Sequence, residues 1–376
     1  MLYTVIGLMS GSSLDGLDIV FAHLHFNGGK WNYEIRQKAC YPYPKEWAEK
    51  LKSAPTLSGS DYLLLHTEYG HYLGQQVNRF INENDLHFQV QLVSSHGHTV
   101  FHIPEKQMTA QLGDGAAIAA ETGINTISDL RSMDLALGGE GAPIVPIGEK
   151  LLLGGYSFYL NIGGIANISF HGSAPEESSS QGNKFIAFDT CPANRVLNLL
   201  ASENGKAFDF NGEMASSGAL NAALLNALNS QEYYRKPFPK SLDNSFGVNT
   251  IYPIIKAWDD SIKNKLCTYT EHICIQVRRS AEAILKNVSN RTAGKQMLIC
   301  GGGGHNKFLV SRLGHQLSEI GVELIIPDET LMDFKEALIM AFIGVLRWRE
   351  ETNVLASVTG ARRDSIGGAI WMGQEA

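Results

Sequence analysis

Apolar positions along the chain change period several times, and each change marks an element. Tyr3–Leu8, Leu17–Phe26 and 32–40 read as strands, with Gly, Ser and Asp filling the turn between the first two. Helices follow near 44–53 and 60–84. Ser60 is the expected cap of the second, and Tyr62, Leu65, Tyr69, Leu73, Val77 and Phe80 recur at helical spacing behind it. Further strands are expected near 90–95 and 124–128. The plan then repeats. Tyr156–Asn161 and Ala166–Phe170 flank a Gly163-Gly164 turn, and Lys184–Phe188 is a third strand after the polar loop Gly172–Asn183. Pro192 is expected in the first turn of the next helix. Helices near 214–229, 249–263, 270–288, 306–319 and 332–349 and strands near 296–300 and 322–326 complete the pattern. The fold class is α/β. The chain reads as an approximate duplication, with one Gly-containing turn in each half on either side of a cleft.

With 376 residues, two domains are the better expectation. The net charge of −7 and the lack of a long Lys/Arg cluster argue against nucleic acid or an anionic membrane as partner. No apolar run reaches the length of a membrane span, and the N-terminal apolar stretch stops at Ser10 without a basic flank, so no signal peptide is read. Five cysteines without a C-x-x-C pair fit a reducing compartment.

Chemistry concentrates in a few segments. In Gly7-Leu-Met-Ser-Gly-Ser-Ser-Leu-Asp-Gly-Leu-Asp18, turn amides and the Ser10, Ser12 and Ser13 hydroxyls suit phosphate oxygens, and Asp15 and Asp18 are hard ligands for Mg²⁺. A plain hairpin turn uses the same residue types. Asp189 ends an apolar strand and suits a general base, or a helix cap. Gly301–Gly304, before His305 and Asn306, lets a planar or phosphorylated group lie against the backbone. No G-x-x-x-x-G-K-[ST] occurs, so a P-loop kinase is excluded. His96, His98 and Thr99 offer donors to sugar hydroxyls. Asp129 and Arg131 follow a strand, and Arg131 can clamp a carboxylate or pair with Asp134. Glu336 sits near the start of a largely apolar helix, where it can also complement the helix dipole. Cys191 is expected to be a buried, inert thiol.

Together these segments resemble the anhydro-N-acetylmuramic acid kinases, from the first residues to the last. Gly7–Asp18, Ser95-His-Gly-His-Thr99, Gly138-Gly-Glu-Gly-Ala-Pro143, Asn161-Ile-Gly-Gly-Ile-Ala-Asn167, Phe188-Asp-Thr190, Lys236-Pro-Phe-Pro-Lys-Ser241, Cys300-Gly-Gly-Gly303, Glu336-Ala337 and Thr359-Gly-Ala361 fall in the family's order. The chain departs from many relatives at Cys191-Pro-Ala-Asn194, at His98 and at Glu140.

The resemblance implies two ribonuclease-H-like, actin-like ATPase domains around a nucleotide cleft, here 1–127 plus 358–376 and 128–357. It implies ATP and Mg²⁺, a homodimer, and cytoplasmic recycling of cell-wall sugars. The implied reaction opens the 1,6-anhydro bridge of the amino sugar with water and phosphorylates O6. Asp189 would be the base and Glu336 an acidic helper. Gly11, Ser12, Ser13, Leu14, Asp15, Gly16, Leu17, Asp18, Gly163, Gly164, Gly301, Gly302, Gly303 and Asn306 would line the nucleotide, with Asp15 and Asp18 at the metal. His96, Thr99, Asp129, Arg131 and Asn167 would meet the sugar. The alternatives are a non-catalytic nucleotide or sugar sensor on the same fold, or a kinase for a related amino sugar.

Overall fold

The computed structural model describes residues 1–11, 14–172, 185–238, 240–243, 245–287 and 295–373. Ser12, Ser13 and most of the Gly172–Asn183 loop lie outside the described residues. Two compact units divide the chain, Met1–Gly154 with Phe334–Ala376, and Gly155–Asp333.

In the first unit β1 (Leu2–Ser10), β2 (Gly16–Asn27) and β3 (Lys30–Pro42) form an antiparallel meander. β4 (Leu92–Ser95) pairs parallel to β1. A hairpin, β5 (His98–Ile103) and β6 (Met108–Leu112), leaves the end of β4. β7 (Thr126–Ser128) then pairs parallel to β4, and the C-terminal strand Ala369–Trp371 closes that edge. Val5, Ile6 and Leu8 are buried because the central β1 is covered on both faces. The helix Gly59–Glu83 packs Leu65, Tyr69, Leu73, Val77 and Phe80 on one face, against Ile6, Leu8, Leu17, Ile19 and Phe21. Its cap is Ser58, whose hydroxyl accepts the Asp61 N–H at 3.2 Å; Ser60 lies inside the helix. The helix Glu329–Trp348 approaches β1 to backbone distance. A Cβ on Gly7 would lie 2.1 Å from the Ala337 carbonyl oxygen.

The second unit repeats the topology. β8 (Phe158–Ile162), β9 (Ile165–His171) and β10 (Phe185–Pro192) form a meander, and β11 (Lys295–Cys300) and β12 (Val322–Ile325) add in parallel beside β8. The sheet order is β10-β9-β8-β11-β12, and the first sheet runs β3-β2-β1-β4-β7 before its terminal strand. Both have the 3-2-1-4-5 order with strand 2 antiparallel, the ribonuclease-H-like arrangement. Phe158, Leu160 and Ile162 share a core with Tyr269, Ile273 and Val277 of the long helix Ile262–Asn287.

Three local expectations change. Pro192 is the last residue of β10, opposite Ile165, and the helix starts at Asn194. A bulge between Asp189 and Cys191 carries the strand past its apparent end. The 214–229 stretch is two helices, Glu213–Ser216 and Ala222–Asn229, parted where Gly218 lies against the Lys263 carbonyl. The compact units also part at 154/155 and 333/334, against the expected 127/128 and 357/358. Residues 334–348 stay with the first sheet through contacts such as the Ser94 hydroxyl donating to the Met340 carbonyl at 2.6 Å.

Candidate active site

In an α/β sheet the loops beyond the C-terminal ends of parallel strands hold ligands. In the first unit β1 ends at Ser10, and the turn Gly11–Asp15 leads into β2. Leu14 takes the left-handed conformation at φ +60° and donates its N–H toward the Gly11 carbonyl at 3.4 Å. Asp15 is exposed, Leu17 is sunk in the core, and Asp18 lies opposite Met9 within electrostatic reach of Tyr43. The Ser10 hydroxyl is held between Tyr43 and His98. Tyr43 donates to it at 2.8 Å, and His98 Nδ1 lies 3.1 Å away. Burial pushes the His98 imidazole down to about 4, so it is neutral.

At the end of β4, His96 is 3 % exposed and its ring is fully committed. Nδ1 lies 2.9 Å from the Gly97 carbonyl and so carries the proton, and Nε2 accepts Arg131 Nε at 3.0 Å. Burial, reinforced by the Arg131 charge, holds the imidazole at about 3. Arg131 is therefore aimed by a neutral histidine 35 residues away. Burial lowers its guanidinium to about 10, with Glu336 acting in the opposite sense. Burial raises the Glu336 carboxyl, and Lys335 and Arg131 oppose that. Lys335 and Glu149 form a buried ion pair at 2.9 Å. Asp129 is exposed at φ +54° and accepts from Ser132, and Thr99 accepts from Gln111 at 3.3 Å. Buried Asp134 ties two motifs together, accepting from the Gly141 N–H at 2.8 Å and the Thr359 hydroxyl at 2.7 Å. It leaves Arg131 to His96.

In the second unit the β8–β9 turn and the end of β11 converge. The Gly163 carbonyl accepts from the Asn194 N–H at 3.0 Å, and the Gly164 carbonyl from the Ala193 N–H at 2.8 Å. Gly301 sits at φ +85°, where a Cβ would lie 2.6 Å from Asn161 Oδ1; on Gly303 it would lie 2.3 Å from Ile162. Only bare backbone fits there. Gly302 is near Asn194, whose amide donates to the Ile162 carbonyl at 3.1 Å. Asn306 caps the helix Lys307–Ser318 by accepting the Leu309 N–H at 3.0 Å. Asp189 stands opposite exposed Asn167. Its Oδ2 accepts the Leu242 N–H at 2.9 Å; burial raises the carboxyl above the usual range and that hydrogen bond pulls the other way. It does not cap a helix. Cys191 is fully buried, its thiol pushed up to about 12, which removes it as a nucleophile.

The sequence profile of the family described as anhydro-N-acetylmuramic acid kinase matches residues 3–373. The chain belongs to the anhydro-N-acetylmuramic acid kinase family. Kinases of that name from Rhodococcus erythropolis and Aliivibrio fischeri are 33% and 32% identical to it. The alignments cover 98% of this chain and 94% of the first protein, and 97% and 98% for the second. The Haemophilus influenzae protein of the same name is 31% identical over 97% of each chain. As a member of the family the chain is an enzyme, a sugar kinase. Among the described residues no helix is long and apolar enough to cross a membrane.

The sequence points to Asp189, Arg131 and Glu336 but not to the groups that hold them. His96, expected at the sugar, also supports Arg131 through its Nε2. The Lys335–Glu149 pair, the Ser10–Tyr43 link and the Leu242 N–H carry no local signature, because their partners are distant in the chain and one donor is backbone.

Proposed function

We propose that this kinase opens 1,6-anhydro-N-acetylmuramic acid with water and transfers the γ-phosphoryl group of ATP to O6. The products are N-acetylmuramic acid 6-phosphate and ADP. Asp189 takes a proton from water as the water oxygen bonds to C1. The C1–O6 bond of the bridge breaks with oxocarbenium character. O6 bonds to the γ-phosphorus, and ADP leaves. What supports this reading is the setting of Asp189, a largely desolvated carboxylate inside β10, just before its bulge, whose desolvation strengthens it as a base.

In this reading Arg131, aimed by His96, holds the sugar's carboxylate, and Glu336 supplies a second acidic group at the sugar. Thr99, Asp129 and Asn167 contact the sugar. The Gly11–Asp18 turn and the bare backbone at Gly163–Gly164 and Gly301–Gly303 take the nucleotide.

Mg²⁺ would neutralise charge on the phosphates, with Asp15 and Asp18 as its protein ligands. Among the described residues no three His, Cys, Asp or Glu side chains gather as a metal site. Two hard carboxylates, Asp15 just before β2 and Asp18 near its start, suit a cation that keeps its waters and phosphate oxygens instead of entering a protein cage. A cytoplasmic homodimer completes the proposal.

The test is reaction in ¹⁸O-water with Mg-ATP and the anhydro sugar, followed by mass analysis. Label is expected at C1 and none in the phosphate. Label in phosphate, with the sugar unchanged, would mean uncoupled ATP hydrolysis and would overturn the reading.

A further inference from the structure

Lys236-Pro-Phe-Pro-Lys-Ser241 is a motif to which the reaction above gives no task. Its place in the fold supplies one. β10 is the edge strand of its sheet, so nothing in the sheet covers the outer side of Asp189. Residues 233–238 and 240–242 return to that side. The Asp189 N–H donates to the Lys240 carbonyl at 3.2 Å. The Tyr233 hydroxyl donates to the Asp189 carbonyl at 2.7 Å, and the Leu242 N–H donates to Oδ2 at 2.9 Å. The segment is stapled on both sides of these bonds. Phe238 stacks on Phe188, the residue before Asp189, with centroids 5.2 Å apart and planes within 3°. Lys240 Nζ lies over the Tyr233 ring at 4.6 Å and donates to the Tyr233 carbonyl at 3.3 Å.

We propose that Tyr233–Leu242 is a clamp that positions Asp189, with Tyr233 fixing its main chain and the Leu242 N–H selecting which carboxylate oxygen receives the proton. Oδ2 is taken by Leu242, and Oδ1 has no partner among the described residues, so Oδ1 accepts the proton from water. The β10 bulge fits this geometry. Asp189, the last regular residue before it, presents both its N–H and its carbonyl to the outer side of β10, to Lys240 and to the Tyr233 hydroxyl. The same N–H tempers the base, because a donor to the ionised carboxylate opposes the effect of burial. The Tyr233 hydroxyl bonds the main chain of Asp189 and is not among the groups that shift its carboxyl, so it fixes position more than basicity.

The proposal rests on Asp189 being the base, and two variants test it with Asp189→Asn as the reference. Tyr233→Phe removes one hydroxyl. It is expected to lower kcat about 10-fold, leave KM for ATP and sugar within about 2-fold, and leave the acid limb of kcat/KM in place. Replacing Leu242 by its α-hydroxy acid converts one amide to an ester and deletes the N–H. It is expected to move the acid limb to higher pH while lowering kcat, a shift that a merely structural bond would not produce. Wild-type kcat in Tyr233→Phe, or an acid limb unmoved in the ester, overturns the clamp. An active Asp189→Asn enzyme overturns the underlying base assignment instead.

Discussion

Lys335→Met removes an ammonium group from the buried pair with Glu149 and keeps the chain's length. The two side chains are 3 % and 4 % exposed and their charged atoms 2.9 Å apart, so no solvent replaces the lost partner. Stranding one charge of a buried pair costs about 3–5 kcal/mol. In a unit of this size that lowers the midpoint of its thermal transition by on the order of 10 °C. Adding Glu149→Leu removes the remaining carboxylate and should recover most of the loss, since an apolar pair of similar volume is about as stable as a buried ion pair. Calorimetry of parent, both single variants and the double closes the cycle. The transition of the first unit must be resolved from the second, because a two-unit chain need not melt in one step. A second readout is activity. The Lys335 charge holds the Glu336 carboxyl down and Glu149 raises it. Lys335→Met should therefore move an acid limb set by Glu336 to higher pH, and the double variant should bring it part of the way back. A Lys335→Met protein within about 1 kcal/mol of the parent would refute the argument, for the pair would then not be what keeps Glu149 buried.

Asp189→Asn keeps shape and removes the base; turnover should fall about 100-fold or more while nucleotide binding by calorimetry stays near normal, and unchanged turnover would dismiss the assignment. Asp15→Ala and Asp18→Ala should each raise the Mg²⁺ concentration needed for half-maximal rate more than they alter sugar KM, and wild-type metal titrations for both would make the loop a plain turn. His96, His98 and His272 are pushed down by burial to about 3, 4 and 3. Their stabilisation is complete above the unfolded value near 6.5 and is lost on acidification, because between about pH 6 and 4 the unfolded chain binds more protons than the folded one. Asp189 and Glu336, with raised carboxyls, contribute with the opposite sign. Urea midpoints should drop from pH 7 to pH 5 and drop less in His272→Gln; level midpoints in the parent would contradict the burial argument.

The two meanders and the long helices were legible because their apolar residues alternate or recur every three to four positions, and burial in one core keeps that period. The hairpin β5–β6 was not. His98, Thr99, His102, Thr109 and Gln111 break the pattern, since the hairpin carries polar side chains and much of it is only partly buried. Pro192 looks like a helix start and ends a strand, because a bulge leaves no mark in composition. At the site, the residue types were readable and their connections were not. Arg131 suggested an ion pair with Asp134 at helical spacing, yet folding gives it His96, and Asp134 is spent on Gly141 and Thr359. The support of Asp189 comes from 44 and 53 residues downstream, half of it from a main-chain N–H that every non-proline residue possesses.

The missing side chain at Gly7 fixes a tolerance. Three residues before Ser10, β1 lies so close to the helix Glu329–Trp348 that a methyl group would meet the Ala337 carbonyl at 2.1 Å and the Ala341 nitrogen at 2.8 Å. Ala337 is the neighbour of Glu336. One backbone-to-backbone seat thus serves as a common datum for the strand entering the Gly11–Asp15 turn and for the helix turn bearing Glu336. Soft side chains between them would let the two drift independently; here there is no layer to compress. A carbon at position 7 would lift the helix off its seat and displace Glu336 relative to that turn. Reactions that depend on alignment lose about 100-fold for an ångström of error, so such damage would surface as lost rate in a protein that still folds and still binds.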